Sequence, residues 1–320
     1  MSKSYAAQAV IAVGILLFNV NTGQAQNYPS RPIRLVTSES GGGTDFAARQ
    51  MASGLTGPMG QPVIVDNRGG GSSISGEIVT KAAPDGYTLL VTGGSFWVGP
   101  LFRKTAYDPV KGFSPVSLLV NSPNILVVHP SVPVKSVKEL IDLAKAKPGG
   151  LNYASTSVGG SAHLAAELFK FMASVNIVHI PYKGSGAAMI NLIGGQVQMT
   201  FATVASIAPH IKSGKVRALA VTSTKPSALA PDLPTVAAVV PGYDTGGATA
   251  MFAAPGTPAT IVSRLNREVI RLLNQADVKE RFFSVGVETV GSSPEQLAVT
   301  VKSEMTRLGK VIKEAGIKFE

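Results

Sequence analysis

Short apolar runs alternate along the chain with longer stretches in which apolar residues recur every three or four positions, almost from end to end. "PIRLVT" (32–37), "PVIVDN" (62–67), "YTLLVT" (87–92) and "NILVVHP" (124–130) are compact and β-branched, and each predicts a strand. "LNYAS" (151–155), "NIVHIP" (176–181), "QVQMTF" (196–201) and "VRALAVTS" (216–223) continue the series. Helical periodicity fills the gaps: from Asp45 to about Leu55, over 161–173 with Leu164, Leu168, Phe169 and Met172 on one side, and over 185–193. In "KSVKELIDLAKAKPGG", Ser136 and Glu139 have capping-box spacing and Pro148-Gly149-Gly150 stops the helix. In the tail, Thr257-Pro258 and Ser293-Pro294 each predict a helix opened by a capping residue with proline at the first helical position. This order of elements predicts an α/β fold, with parallel or mixed sheets covered by helices on both faces. Proline-rich connections near 129–133 and 226–241 offer places for the chain to cross between domains, and no internal repeat is visible.

The first 26 residues break the pattern. A polar start with Lys3, an apolar stretch from Ala6 to Phe18 and small residues at Gly23-Gln24-Ala25 predict a secretory signal peptide cleaved near Ala25, hence a periplasmic protein. The apolar stretch is short for a membrane span. The chain has no cysteine, which excludes disulfides, thiolate catalysis, cysteine-ligated zinc and a lipidated N-terminal cysteine. With 45% hydrophobic and 15% charged residues, the remainder suits a globular core. The formal charge of +10 drops by one without Lys3, but the basic residues are scattered and not interleaved with aromatics, which argues against nucleic acid. Most of them suit solvated helix faces, and their excess would steer an anionic ligand.

Chemistry enters at "SESGGGTDFAAR" (38–49), a glycine loop between a strand and a helix. A nucleotide P-loop needs lysine and serine or threonine after the last glycine, and Gly43 is followed by Thr44-Asp45-Phe46. The dinucleotide pattern G-x-G-x-x-G fails at Phe46, and fails again in "RGGGSSISGE" (68–77) at Ile74. Two readings remain: a tight turn capped by Thr44 or Asp45, or an anion seat made from the unpaired N–H groups of a helix start. "STSVGGSAHL" (155–164) is a second hydroxyl- and glycine-rich loop leading from a strand into a helix.

Catalytic machinery is scarce. No G-x-S-x-G elbow or S-x-x-K pair occurs, and His129, His163, His179 and His210 lack metal-binding spacing. Ser155, Ser157 or Ser161 beside His163 suggests a hydrolase pair, but neighbours in one loop rarely reach the geometry a base requires. Neither an enzyme, a metal site nor a cofactor is expected.

Long ordered stretches now carry a family resemblance. "YPSRPIRLV", "GGGTD", "GQPVIVDNRGGGSSISGEIVTKAAPDGYTLL", "YDPVKGFSPVSLL", "GSAHLAAELFK", "HIPYKGSGAAMINLIGGQVQMTF" and "LPTVAAVVPGY" resemble the Bug proteins, the periplasmic receptors of tripartite tricarboxylate transporters. The resemblance runs from Tyr28 to the C-terminal helices. It implies a two-domain periplasmic binding protein fold, type II-like, with an interdomain cleft between two mixed sheets flanked by helices. The implied division is residues 1–26 as signal, 27–125 with 224–320 as a discontinuous first domain, and 126–223 as the second. It further implies a monomer that holds a small organic acid or amino-acid-like ligand by its carboxylate and delivers it to membrane permease subunits. The runner-up role is a ligand-sensing receptor for a membrane signalling kinase. The family's carboxylate-holding loops map to Gly42, Gly43, Thr44 and Asp45, and to 155–163 with Ser155, Ser157, Gly160, Ser161 and His163. Gly94, Ser95 and Tyr182 face the cleft in similar proteins.

Three departures touch that cleft. Ser38-Glu39-Ser40 replaces the usual P-F-x-P approach to the glycines, Ala202 and Thr203 stand where aspartate-asparagine is frequent, and Ala248 lies near the place of a common tryptophan. Glu39 in the cleft would repel a distal carboxylate and favour an ammonium or amide. An unchanged ligand preference in Glu39→Gln would remove that expectation.

Overall fold

The computed structural model describes residues 28–38, 40–69, 71–155, 161–182 and 184–314; the predicted signal segment, Glu39, Ser157 and Gly160 lie outside them. Three parallel strands begin the fold: β1 (Ile33–Thr37), β2 (Val63–Asn67) and β3 (Thr88–Gly93), in the spatial order β2-β1-β3. The helix α1 (Gly43–Met59) follows β1 and packs Ala47, Ala48, Met51 and Leu55 with Leu35 and Leu89. The helix α2 (Gly71–Thr80) follows β2 and buries Val79 with Val36 and Leu90 in a different core cluster. The two crossovers therefore cover opposite faces, and the strand order reverses between β1 and β3. In open α/β sheets that reversal leaves a crevice beyond the C-terminal ends of the strands.

The same plan recurs. The strands β5 (Asn152–Ser155), β6 (Val178–Pro181) and β7 (Met199–Thr203) stand in the order β6-β5-β7, with β5 parallel to both. The helix α5 (Ser161–Ala173) packs Leu168 and Phe169 in one core cluster, and α6 (Ser185–Ile193) packs Ala188 and Leu192 in another. This repeat of topology was invisible in the sequence, because strand pairing and helix side are conserved between the halves while residue types are not. The two glycine- or hydroxyl-rich loops fall at matching places, each between the first strand and first helix of its unit.

One long strand joins the halves. The fifteen-residue β4 (Ser114–Val128) pairs with β9 (Gly246–Ala253) along its first part and with β7 and β8 (Arg217–Val221) along its last. It starts ten residues before the predicted strand. Its pairing with β9 shifts register between Pro115 and Ser117 and between Leu118 and Val120, and continues through Pro123, opposite Gly246. At the crossing, the Asn124 N–H donates to Thr222 Oγ1 at 2.9 Å, and Thr222 Oγ1 donates to the Thr245 carbonyl at 2.7 Å.

The remaining helices cover the sheet: α3 (Ser95–Val98), α4 (Val137–Ala146), α7 (Val204–Lys212), α8 (Ala259–Leu273), α9 (Ala276–Ser284) and α10 (Pro294–Glu314). Ser136 caps α4 by accepting the Glu139 N–H, as its spacing predicts, and Pro294 opens α10. Pro258 instead occupies the cap of α8, one residue outside the predicted place. The last helix spans both halves, with Leu308 and Ile312 in one core cluster and Val311 in another. Among the described residues no helix is long and apolar enough to cross a membrane.

Candidate ligand-binding site

A cavity of about 530 Å³ opens at the crevice predicted by the strand reversal. Gly41 to Thr44 and Phe46 line it from the start of α1, Gly93 and Gly94 from the end of β3, and Gly247 to Thr249 from β9. Val120 and Ser122 enter from β4, and Phe282, Val285 and Val287 from α9 and the turn after it.

The helix α1 starts two residues earlier than predicted. Gly42 is its N-cap with extended backbone and no side-chain cap, so neither Thr44 nor Asp45 caps it. The first intrahelical bond runs from the Phe46 N–H to the Gly42 carbonyl at 2.9 Å. The N–H groups of Gly43, Thr44 and Asp45 precede that bond and have no acceptor inside the helix. They carry the positive end of the helix dipole, at the wall of a cavity. A Cβ added at Gly42 or Gly43 would meet nothing within 4 Å, so the bare backbone leaves space there for something other than the protein.

Asp45 holds this loop in shape. Only 4% exposed, its carboxylate accepts the Gly41 N–H at 2.9 Å, Arg49 Nε at 3.0 Å and Asn67 Nδ2 at 2.8 Å. Burial opposes its ionisation, but the bonds from Arg49, Gly41 and Asn67 and the Arg49 charge outweigh it and hold the carboxyl down to about 2. Asn67 also donates to the Ser38 carbonyl at 3.1 Å, and Ser38 Oγ and Thr44 Oγ1 share a 2.9 Å bond. Gly41 has φ +88°, a conformation that favours glycine. The Asp45 side chain therefore shapes the loop, while Gly43 and Thr44 line the cavity.

At the matching place in the second unit, Ser155 is buried and its Oγ lies 2.7 Å from Nε2 of His179. His163, in the first turn of α5, stacks on His179 with ring centroids 4.3 Å apart. Tyr153 also stacks on His179, at 4.8 Å, and donates its hydroxyl to Glu167 Oε1 at 2.6 Å, to which Lys170 also donates. Burial first, then the neighbouring His179, pushes His163 down to about 4, with Glu167 opposing. His179 is lowered too, chiefly by burial.

A histidine lowered on folding makes the unfolded chain the better proton acceptor. The stability this gives is full above pH 6.5 and is lost as pH falls from 6.5 toward 4, on the order of 3 kcal/mol for His163. Burial raises Asp244 and Glu304, which act with the opposite sign. Thermal melts of the parent and of His163→Gln across that window are expected to converge as pH falls; a constant gap between the two would refute the account.

The other residues singled out by sequence are spread around these two loops. Gly94 lines the cavity and donates its N–H to the Ala248 carbonyl at 3.0 Å, while Ser95 Oγ points to Ser72 Oγ at 3.4 Å. Ser161 Oγ accepts a 2.8 Å bond from Asn124 Nδ2, which ties the start of α5 to the crossing of β4. Tyr182 is half-buried with its N–H on the Ser155 carbonyl. At the end of β7, Ala202 packs into the core and Thr203 is exposed, donating to Ser206 Oγ. Sequence reasoning missed Asn67, Arg49 and Asn124, which position the loops, and Phe46, Phe282, Val285 and Val287, which wall the cavity. Only Asn67 left a local trace, as the polar end of an apolar strand just before a glycine cluster.

The chain is similar to known proteins over nearly its whole length. Residues 47–317 match the tripartite tricarboxylate transporter family receptor. Protein BugT of Bordetella pertussis is 37% identical over 304 residues, covering 92% of this chain and 93% of BugT. Rpa4515 of R. palustris, solved with adipate, superposes with a TM-score of 0.70 at 37% identity, over 91% of this chain and 99% of that one. MatC of Rhodopseudomonas palustris, solved with bound malate, superposes with a TM-score of 0.66 at 31% identity, over 89% of this chain and all of that one.

Proposed function

The chain belongs to the tripartite tricarboxylate transporter receptor family, and from that premise we propose that it captures a small carboxylate at the start of α1 by closing two lobes around it. One observation carries this reading: Gly43 and Thr44, whose helix-start N–H groups have no helical acceptor, line a cavity in which Gly42 and Gly43 leave room for a ligand. A carboxylate offers two strong acceptors, and donors pre-aimed by Asp45 lose little freedom on meeting it. The adipate and malate in the related structures are consistent with such a group.

Residues 27–125 with 224–320 form one lobe and 126–223 the other, hinged where β4 and the Thr222–Thr245 contacts cross between sheets. The loop from Ser155 to His163, with Ser157, Gly160 and Ser161, is the second clamp, and Tyr182, Ala202 and Thr203 border it. Closure excludes water and strengthens the bonds to the carboxylate. The protein works as a monomer in the periplasm after cleavage near Ala25, hands its ligand to membrane permease subunits, and performs no bond chemistry. Ser155 supports that last point, since a hydroxyl 1% exposed is poorly placed for attack on a substrate.

The test is a thermal-shift series on residues 26–320 with monocarboxylates, dicarboxylates, zwitterionic amino acids and neutral amides. A ligand at 100 times its dissociation constant adds about 2.7 kcal/mol, which raises the melting point by several degrees. A rise with carboxylates and none with the matching amides is expected. Equal rises with acid and amide would refute the carboxylate seat.

A further inference from the structure

We propose that the ligand carries an apolar body, alkyl or aryl, beside its carboxylate, and that Phe46, Phe282, Val285 and Val287 select it. The inference rests on the carboxylate reading above and names the rest of the molecule. Phe46 stands on the same helix as the unpaired donors, three residues after Gly43, and meets Phe282 edge-on with ring centroids 5.4 Å apart. Both rings lie at the cavity, Phe46 half-buried and Phe282 only 1% exposed behind it, and Val285 and Val287 extend that apolar wall. Val285 is 43% exposed, a large apolar group left uncovered at the cavity wall.

The wall is built in advance. The Val287 N–H donates to the Phe282 carbonyl at 3.1 Å, Ser122 Oγ donates to the Gly286 carbonyl at 3.4 Å, and β10 (Glu288–Thr289) pairs with β4 immediately afterwards. Gly286 takes φ +75°, and a Cβ there would lie 3.0 Å from Ala205 Cβ, so α7 backs the turn closely. Two of the hydroxyls on the cavity wall are already engaged, Thr44 with Ser38 and Ser122 with Gly286. A hydroxyl or second carboxylate placed against the aromatic and valine wall would lose its water without gaining a partner. A methylene placed there gains about fourfold in affinity.

Isothermal titration with propionate, butyrate, hexanoate, benzoate, malate and hexanamide tests this. Affinity is expected to climb about two- to fourfold per methylene from propionate to hexanoate. Benzoate and hexanoate are expected to bind at least tenfold more tightly than malate. Val285→Ser, at an exposed position where folding is not at stake, is expected to reduce the ratio of hexanoate to propionate affinity at least threefold. Malate binding more tightly than hexanoate, or a Val285→Ser ratio equal to the parent's, overturns the apolar-body proposal and leaves the carboxylate seat standing. Hexanamide equal to hexanoate, or no binding by any acid, overturns the seat itself.

Discussion

Replacing Asp45 by alanine is expected to destabilise the protein by about 3 kcal/mol and to reduce ligand affinity at least a hundredfold. The carboxylate is buried and takes three bonds, so its removal strands the Gly41 N–H and leaves the Asn67 amide with the Ser38 carbonyl and Arg49 with Asn67 Oδ1 as their remaining partners. Arg49 is half-exposed and can turn to water, which keeps the loss at the lower end for a broken buried pair. The effect on binding is about as large in free energy as the effect on folding, roughly 2.7 kcal/mol for a hundredfold, because Gly43 and Thr44 lose the anchor that fixes their loop at the cavity. Asp45→Asn retains an oxygen for the Gly41 N–H and is expected to fall between parent and alanine in both respects. The same bonds set an acid limit. Asp45 is lowered from 3.8 to about 2, so its stabilisation is complete above pH 3.8 and is lost as pH falls to 2. Paired thermal melts and titrations of parent, Asp45→Asn and Asp45→Ala check both quantities. A binding loss far short of a hundredfold would show that the loop keeps its shape without the anchor.

Gly43→Leu is expected to leave the melting point of the empty protein within a few degrees of the parent and to abolish ligand binding. Outside its chain neighbours and the backbone of its own helical turn, no atom of the described residues lies within 4 Å of a Cβ at this position, and the backbone there is already helical, so folding tolerates a side chain. The side chain would project where the ligand belongs. Gly43→Ala should cost about tenfold in affinity and leucine a hundredfold or more, each tenfold step being about 1.4 kcal/mol. The contrast with Asp45 separates residues that shape the loop from residues whose smallness the ligand needs. Retained binding in Gly43→Leu would move the ligand away from the start of α1.

Local order was legible where one segment held its own instructions. The helices over 161–173 and 185–193 match their predicted spans, and Ser136 caps the helix that its spacing announces. The strand before the glycine loop, the loop and the helix after it were likewise visible, because glycines and an apolar run mark them without help from elsewhere. The helix α2 was not assigned: "GSSISGEIVT" has weak helix formers, and packing of Val79 against β1 and β3 decides it. The early part of β4 hid behind its prolines. The cavity wall was the hardest part to foresee, since Phe46 and Phe282 meet only through the pairing of α1 with the C-terminal helices. Both loops stood out in the sequence, and the family resemblance added the expectation of a shared carboxylate where spacing alone left an anion seat and a turn open.

The matching placement of the two loops has an electrical consequence. Each unit ends its first strand in a loop and starts a helix there, so the two halves offer poles of the same sign, each about half a positive charge. On the proposed two-loop reading, an empty receptor that shuts would press like poles together, whereas an anion between them would turn repulsion into attraction from both sides. The negative charge of the cargo would then serve as the fastener, and a neutral molecule of identical shape would settle in one half without drawing the other onto it. A membrane partner that recognises only the shut form would in this way be shielded from empty receptors.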